Sequence, residues 1–273
     1  MKIENPTKEL TFSKKIIPWF EQHQRNLPWR HTQDPYAIWL SEIILQQTRV
    51  AQGLPYYNRF LSHLPTIQDF ANAPQEEILR LWQGLGYYSR ARNMHATAKV
   101  IIEKYDGTFP DNYNELVKLK GIGPYTGAAI ASFAFGEAVP VVDGNVFRVL
   151  SRVFGIETDI AASSARKEFT ELAETLIPQD SPAAFNQAIM EFGALQCTPH
   201  QPNCMFCPLQ DTCYAFQHEA QGVLPVKLKK TKVRNRYFNY FAVQQDEHFL
   251  MNKRAENDIW SGLYEFYLVE TEE

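Results

Sequence analysis

Three groups of residues in this chain have the type and spacing to do chemistry. All four cysteines fall in one loop, as Cys197-x6-Cys204-x2-Cys207-x5-Cys213. Thiolates this crowded nearly surround one centre, and soft sulfur donors select zinc or iron–sulfur. Common zinc sites use two C-x2-C knuckles and this loop has one, so the spacing leaves both metals open. The second group is two separate acids: Glu42, a carboxylate that could look into a cleft, and Asp143, set between a valine run and the start of a helix. The third is Leu119-Lys120-Gly121-Ile122-Gly123-Pro124-Tyr125-Thr126-Gly127. There Gly121 and Gly123 let backbone N–H groups approach a phosphate, and the N-terminus of the following helix adds to the anion site.

Each group also has a plainer reading. Glu42, Gln46 and Arg49 are spaced i, i+4, i+7, so a continuous helix would put them on one face as a solvated stripe with a Glu–Arg pair. Asp143 before Gly144-Asn145-Val146 reads as an N-cap. A Gly-containing turn between two helices needs no ligand. For Glu42, neighbours Trp39, Ile43 and Leu45 would desolvate the carboxylate and raise its pKa. For Asp143, a helix N-terminus favours the anion.

The elements that must position these residues are helical. Apolar spacing predicts helices over 9–24, 36–50, 52–62, 74–82, 89–105, 111–118, 124–135, 145–154, 162–176 and 181–195. Pro18 falls inside the first and is expected to start or kink it. Arg25 to Arg30 reads as a short extended segment, and Gln83 to Arg90 as a glycine turn carrying two aromatics. Gln46-Gln47-Thr48 offers three polar side chains within reach of bases or phosphates. No strand is expected before residue 215. After Gly222 the composition shifts. Residues 223–236 are basic, with Lys227, Lys229, Lys230, Lys232, Arg234 and Arg236, and read as a linker or a backbone-binding arm. Residues 237–269 are β-rich, with candidate strands at 237–243, 249–251 and 263–269.

The 273 residues suffice for one large domain or two smaller ones, and a 45% hydrophobic, 21% charged composition is that of a soluble globular chain. A net charge of −4 gives no global sign of nucleic acid, which leaves a local basic surface as the route to DNA. No apolar run is long enough to span a membrane, and Met1 to Pro6 carries no secretory h-region. A cytoplasmic place is therefore expected, and there clustered cysteines hold metal rather than pair.

Together, Leu119 to Gly127, Val142-Asp143-Gly144-Asn145 and the cysteine loop resemble the helix–hairpin–helix DNA glycosylases of the endonuclease III superfamily. Leu27-Pro28-Trp29-Arg30, Trp39 to Thr48 and Gln83 to Tyr88 are similar to its adenine-specific A/G-mismatch glycosylases, the MutY family, over roughly residues 12–225. The resemblance implies a mainly α, two-lobed fold. A six-helix lobe would cover about 28–135. A second lobe would join the N-terminal helix to about 136–222, with a cluster loop at 197–213. A basic linker (223–236) would lead to the opening strands (237–273) of an incomplete NUDIX-like domain. The four cysteines would hold a [4Fe-4S] cluster. Glu42 would be the general acid, Asp143 the carboxylate that stabilises the sugar cation, and Asn145 its orienting partner. Tyr125 would stand where the bifunctional lyases of the superfamily carry a Schiff-base lysine. Arg25, Leu27, Trp29, Arg30 and Gln187 would belong to the adenine pocket. Leu45, Gln47, Thr48 and Tyr87 would meet the duplex beside the flipped base, and Gly121 and Gly123 would hold the backbone. The implied substrate is double-stranded DNA with adenine opposite guanine or 8-oxoguanine, and the implied enzyme is a monomer that hydrolyses the N-glycosidic bond. A glycosylase/lyase acting on another base and a non-catalytic DNA-binding module are the alternatives. The chain ends after only the opening strands of the NUDIX-like segment, which puts preference for 8-oxoguanine in doubt. The loop Thr198 to Asn203 carries no Lys or Arg.

Overall fold

The computed structural model describes residues 6–228, 234–255 and 258–272. Among them the helices are α1 (Pro6–His23), α2 (Pro35–Ile44), α3 (Val50–His63), α4 (Ile67–Asn72), α5 (Gln75–Trp82), α6 (Ser89–Tyr105), α7 (Tyr113–Leu116), α8 (Pro124–Phe135), α9 (Gly144–Phe154), α10 (Ala165–Leu176), α11 (Pro182–Leu195) and α12 (Tyr214–Gln217). A 3-10 turn at Pro28–Arg30 precedes α2. The strands follow: β1 (Tyr237–Phe241), β2 (Gln244–Gln245), β3 (His248–Phe249), β4 (Met251–Lys253) and β5 (Tyr264–Thr271). Among the described residues no strand precedes Tyr237, as the apolar spacing indicated.

The apolar residues sort into two main cores. One gathers Trp39, Phe60, Phe70, Trp82 and Ile101 from α2 to α6. The other gathers Phe12 and Ile16 of α1 with Val149 and Leu150 of α9, Phe169 of α10, and Phe185 and Phe192 of α11. The chain thus starts in the second lobe, builds the first, and returns. A small patch around Ala128, Ala129 and Val141 joins them. Burying an aromatic side chain of this kind stabilises by roughly 1.5–3 kcal/mol, so each lobe has a core of its own.

Several expectations change. α1 runs through Pro18 from Pro6. A mid-helix proline forfeits one hydrogen bond, and the flanking core residues Ile16, Trp19 and Phe20 hold the helix across it. The helix expected over 36–50 ends at Ile44, with α3 starting at Val50. Its last carbonyls are taken by a distant arginine: Arg90 Nη1 donates to Ile43 O (2.7 Å), Ile44 O (3.3 Å) and Gln46 O (2.6 Å). Gln47 then turns the chain at φ +57°. Glu42, Gln46 and Arg49 therefore share no helix face, and Arg49 becomes the residue before α3. The helix expected over 111–118 contracts to the four residues of α7, capped by Asn112 on Glu115 N. Two short helices were not expected, α4 and α12; α4 opens on a reciprocal Thr66–Asp69 capping box.

β1, β5 and β4 form an antiparallel sheet in that order, and β2 pairs with β3. The strand expected over 249–251 is split between β3 and β4. The sheet meets the helical body where Arg92 Nη2 of α6 donates to Ser261 O at 3.0 Å. Of the basic segment, Lys229, Lys230 and Lys232 lie outside the described residues. Arg236 is taken up by Asp258 (2.5 Å) and Glu270 (2.6 Å), so it serves the sheet and not a free arm.

Candidate active site

The two acids arrive from opposite lobes. Glu42 sits near the end of α2. That helix is started by Asp34, whose Oδ1 accepts from Tyr36 N at 3.0 Å, and by Pro35 in its first turn. α2 is buried on nearly every side, Glu42 included, at 7% exposure. Burial, the largest influence, pushes its carboxyl up to about 7. The Tyr125 hydroxyl and Arg30 pull it down, and Asp143 adds to the rise. Tyr125 Oη donates to Glu42 Oε2 at 2.6 Å. The tyrosine itself is held well above its usual range, by burial first and the neighbouring acids second, so it stays a donor.

Asp143 caps α9, its Oδ1 accepting from Val146 N at 2.8 Å. Its Oδ2 accepts from Asn145 Nδ2, also at 2.8 Å. Burial raises the Asp143 carboxyl above its ordinary value, while these two donors and Arg148 work against the rise. The helix terminus thus offsets the cost of burial without overcoming it. Asn145 is fixed in turn by Arg148, whose Nη2 reaches Asn145 Oδ1 (2.8 Å) and Gly193 O (2.6 Å) and whose Nε reaches Cys197 O (2.7 Å). α11 can pass this close only through a glycine. A Cβ on Gly193 would stand 2.6 Å from Asn145 Cβ and 3.1 Å from its Cα and O.

Between the lobes lies a cavity of about 230 Å³. Of the residues singled out from the sequence, Glu42, Asp143, Asn145, Tyr125, Arg25, Leu27, Trp29, Arg30, Leu45, Thr48 and Gln187 all line it. No lysine is among its lining residues. The others lie outside. Gln47 and Tyr87 are exposed, both at left-handed φ (+57° and +47°). The α7–α8 turn presents its two glycines to solvent. Gly121 needs its φ of +80°, and Gly123 has open space where a side chain would be. Sequence reasoning missed Glu191, Arg148 and Arg90. Glu191 is buried at 1% yet accepts from both Arg25 and Arg30. An acid amid Ile189, Met190 and Phe192 was the available signal for a buried partner.

The four cysteines are free and line one apolar cavity. Burial raises the thiols of Cys204, Cys207 (to about 12) and Cys213. Donors to sulfur are already aimed at them: Leu209 N–H at Cys207, and Phe216 and Ala215 N–H at Cys213. Arg152 Nη1 stands 3.5 Å from Cys197 Sγ. An all-sulfur set with N–H and guanidinium donors behind it suits an anionic, thiolate-held centre. Among the described residues no three His, Cys, Asp or Glu side chains converge closely enough to hold a single ion.

Residues 40–175 match the HhH-GPD superfamily base excision DNA repair protein family. The chain is 37% identical over 256 residues to the adenine DNA glycosylase of Buchnera aphidicola subsp. Schizaphis graminum, covering 93% of this chain and 74% of that protein. It is 43% identical over 222 residues to the adenine DNA glycosylase of Rattus norvegicus, which is 78% of this chain and 43% of the rat protein. Among solved structures, a thermostable thymine-DNA glycosylase superposes with a TM-score of 0.72 at 33% identity, over 77% of this chain and 97% of that one.

Proposed function

Because the chain belongs to the HhH-GPD base excision repair superfamily and, within it, to the adenine DNA glycosylases, we propose that Glu42 and Asp143 are its acid and its cation-stabilising carboxylate. The substrate is adenine opposite guanine or 8-oxoguanine in duplex DNA, and the chain acts as a monomer. The adenine is extruded from the stack, as an enzyme needs to reach a glycosidic bond, and enters the cavity between the lobes. The observation that carries this reading is the pair of carboxylates facing one cavity with different partners. A hydroxyl on Glu42 Oε2 leaves its other oxygen to hold the proton, and two N–H donors hold Asp143 in place.

Glu42 gives its proton to a ring nitrogen of adenine. The C1′–N bond then breaks, its electron pair leaves with the neutral base, and positive charge develops on the sugar. Asp143, held in place by Val146 N and Asn145 Nδ2, stabilises that charge. Water adds to C1′, and the proton it sheds restores the acid. Tyr125 brings no amine to C1′, Lys118 is paired with Glu115 at 2.5 Å on the surface, and no lysine lines the cavity. These support base removal without strand cleavage. Gln47 and Tyr87 stand ready to fill the vacated stack, and the α7–α8 turn to hold the backbone. The small C-terminal sheet is the segment for reading the opposite base, in the manner of a NUDIX-like domain.

Cys197, Cys204, Cys207 and Cys213 would hold a [4Fe-4S] cluster, which supplies a covalent cross-link for the loop and one-electron redox chemistry when bound. A brown protein with about four irons per chain is expected; a colourless protein with stoichiometric zinc would sink the cluster assignment. The activity test is base release from duplexes carrying A opposite 8-oxoguanine, G, C and T. Glu42→Gln and Asp143→Asn should bind these duplexes as wild type does and lose excision by at least about 100-fold. A wild-type single-turnover rate in either variant would refute its role.

A further inference from the structure

Glu191 of α11 is almost wholly buried in the wall of the same cavity, and the steps above do not use it. Its Oε1 accepts three hydrogen bonds and its Oε2 two. Arg25 donates from Nε to Oε1 (2.8 Å) and from Nη2 to Oε2 (2.5 Å), and its backbone N also reaches Oε1 (3.0 Å). Arg30 donates from Nη1 to Oε1 (3.0 Å) and from Nη2 to Oε2 (2.8 Å). Arg30 Nη1 also holds Arg25 O at 2.9 Å. Two forked guanidiniums on one carboxylate fix the short segment between them, which carries Leu27 and Trp29 into the cavity wall.

The charge count is equally specific. Two arginines against one glutamate leave a single unbalanced positive charge beside Glu42. The titratable groups facing Glu42 are Tyr125 on α8, Asp143 at the start of α9, Arg30 in the 3-10 turn and, at the outer mouth, Arg166 of α10. Of these, Arg30 is the cation whose pull on the Glu42 proton registers. A guanidinium is a permanent charge that seeks a carboxylate fork. Without Glu191, Glu42 and Asp143 are the acids left in the cavity wall for Arg30 to engage, and Glu42 is the one whose proton it already pulls on.

We propose that Glu191 is a positioning residue for the acid: by occupying both guanidiniums it keeps Arg30 from engaging Glu42, so that Glu42 retains the proton the reaction spends. Burial works against charge on Glu191, yet the bonds from Arg25 and Arg30 outweigh it and hold its carboxyl down to about 2. The neutralising charge is therefore present across the working pH range. The inference rests on Glu42 being the acid.

The test is the pH profile of single-turnover adenine excision at saturating enzyme, from pH 5 to 9, on a duplex carrying A opposite 8-oxoguanine. Four proteins are compared: wild type, Glu191→Gln, Glu191→Asp and Arg25→Gln. In wild type the rate falls on the alkaline side as Glu42 loses its proton. Glu191→Gln adds net positive charge and should move that limb to lower pH by about one unit. Arg25→Gln removes positive charge and leaves Glu191 entirely to Arg30, so the limb should move to higher pH. Glu191→Asp should return it towards wild type. Opposite movements cannot come from loosened packing, which lowers the whole profile. Arg25 is the more exposed partner, with a 39% exposed side chain, so its variant carries the test if Glu191→Gln does not fold. Limbs that coincide in all variants would overturn the proposal while leaving Glu42 as the acid. A wild-type profile without an alkaline limb would overturn the acid assignment, and this one with it.

Discussion

At the scale of single residues, Glu42 ties function to stability. Its carboxyl sits near 7 in the folded chain against an ordinary 4.5, so folding binds this proton more tightly. The stability linked to it is complete below about pH 4.5 and is lost as the pH rises through 7. Glu42→Gln removes that dependence. Its melting temperature should match wild type near pH 5 and exceed it at pH 8.5, by up to about 3 kcal/mol in unfolding free energy. Equal stabilities at both pH values would mean that the carboxylate is solvated. If Glu42 is the acid proposed above, the gain comes with lost excision. The expectation from Trp39, Ile43 and Leu45 already pointed to desolvation, since those residues are local. The Tyr125 hydroxyl lies 83 positions away, and no spacing rule connects it to Glu42. Asp143 was legible as an N-cap because a cap is a local pattern. That burial outweighs the helix terminus there depends on the opposite lobe.

At the scale of elements, Arg90 decides where α2 stops. Its Nη1 gathers the carbonyls at the end of α2, and its Nη2 reaches Leu85 O (3.4 Å) and Gly86 O (3.2 Å) while the guanidinium stacks on Trp82 at 5.0 Å. The turn bearing Gln47 and the turn bearing Tyr87 are thus fixed to the same side chain. Arg90→Lys keeps the charge but cannot span both sets of carbonyls. It should lose roughly 2 kcal/mol of stability. It should also weaken base extrusion, read as a smaller fluorescence rise from 2-aminopurine at the target position, with the alkaline limb unmoved. An unchanged fluorescence rise would mean that the two turns hold themselves. The apolar repeat of α2 was legible in the sequence. Its end was not, because the stop signal is an arginine 44 residues downstream of Gln46. α4 was missed for a different reason: six residues are too few to show a period, although Thr66 and Asp69 spelled its capping box.

At the scale of the molecule, the cysteine loop is joined to the cavity through Arg148, which spans Cys197 O, Gly193 O and Asn145. Loss of whatever the four thiols hold should loosen this span. Cys207→Ser is expected to lose visible absorbance, at least about 2 kcal/mol of stability (some 5 °C in Tm for a chain of this size) and most of the excision rate. A full rate without the chromophore would show that the loop holds its shape unaided. The two-lobed plan was legible only through the resemblance, since composition says nothing about a chain that leaves a core and returns to it. Among the described residues no helix is long and apolar enough to cross a membrane. The division of the acids between lobes has a further consequence. Asp143 adds to the rise of the Glu42 carboxyl from the other lobe, so that rise depends on α9 keeping its place opposite α2. Both lobes thus set the Glu42 carboxyl at once, and a substitution that shifts α9 against α2 should reach its proton without touching Glu42 itself.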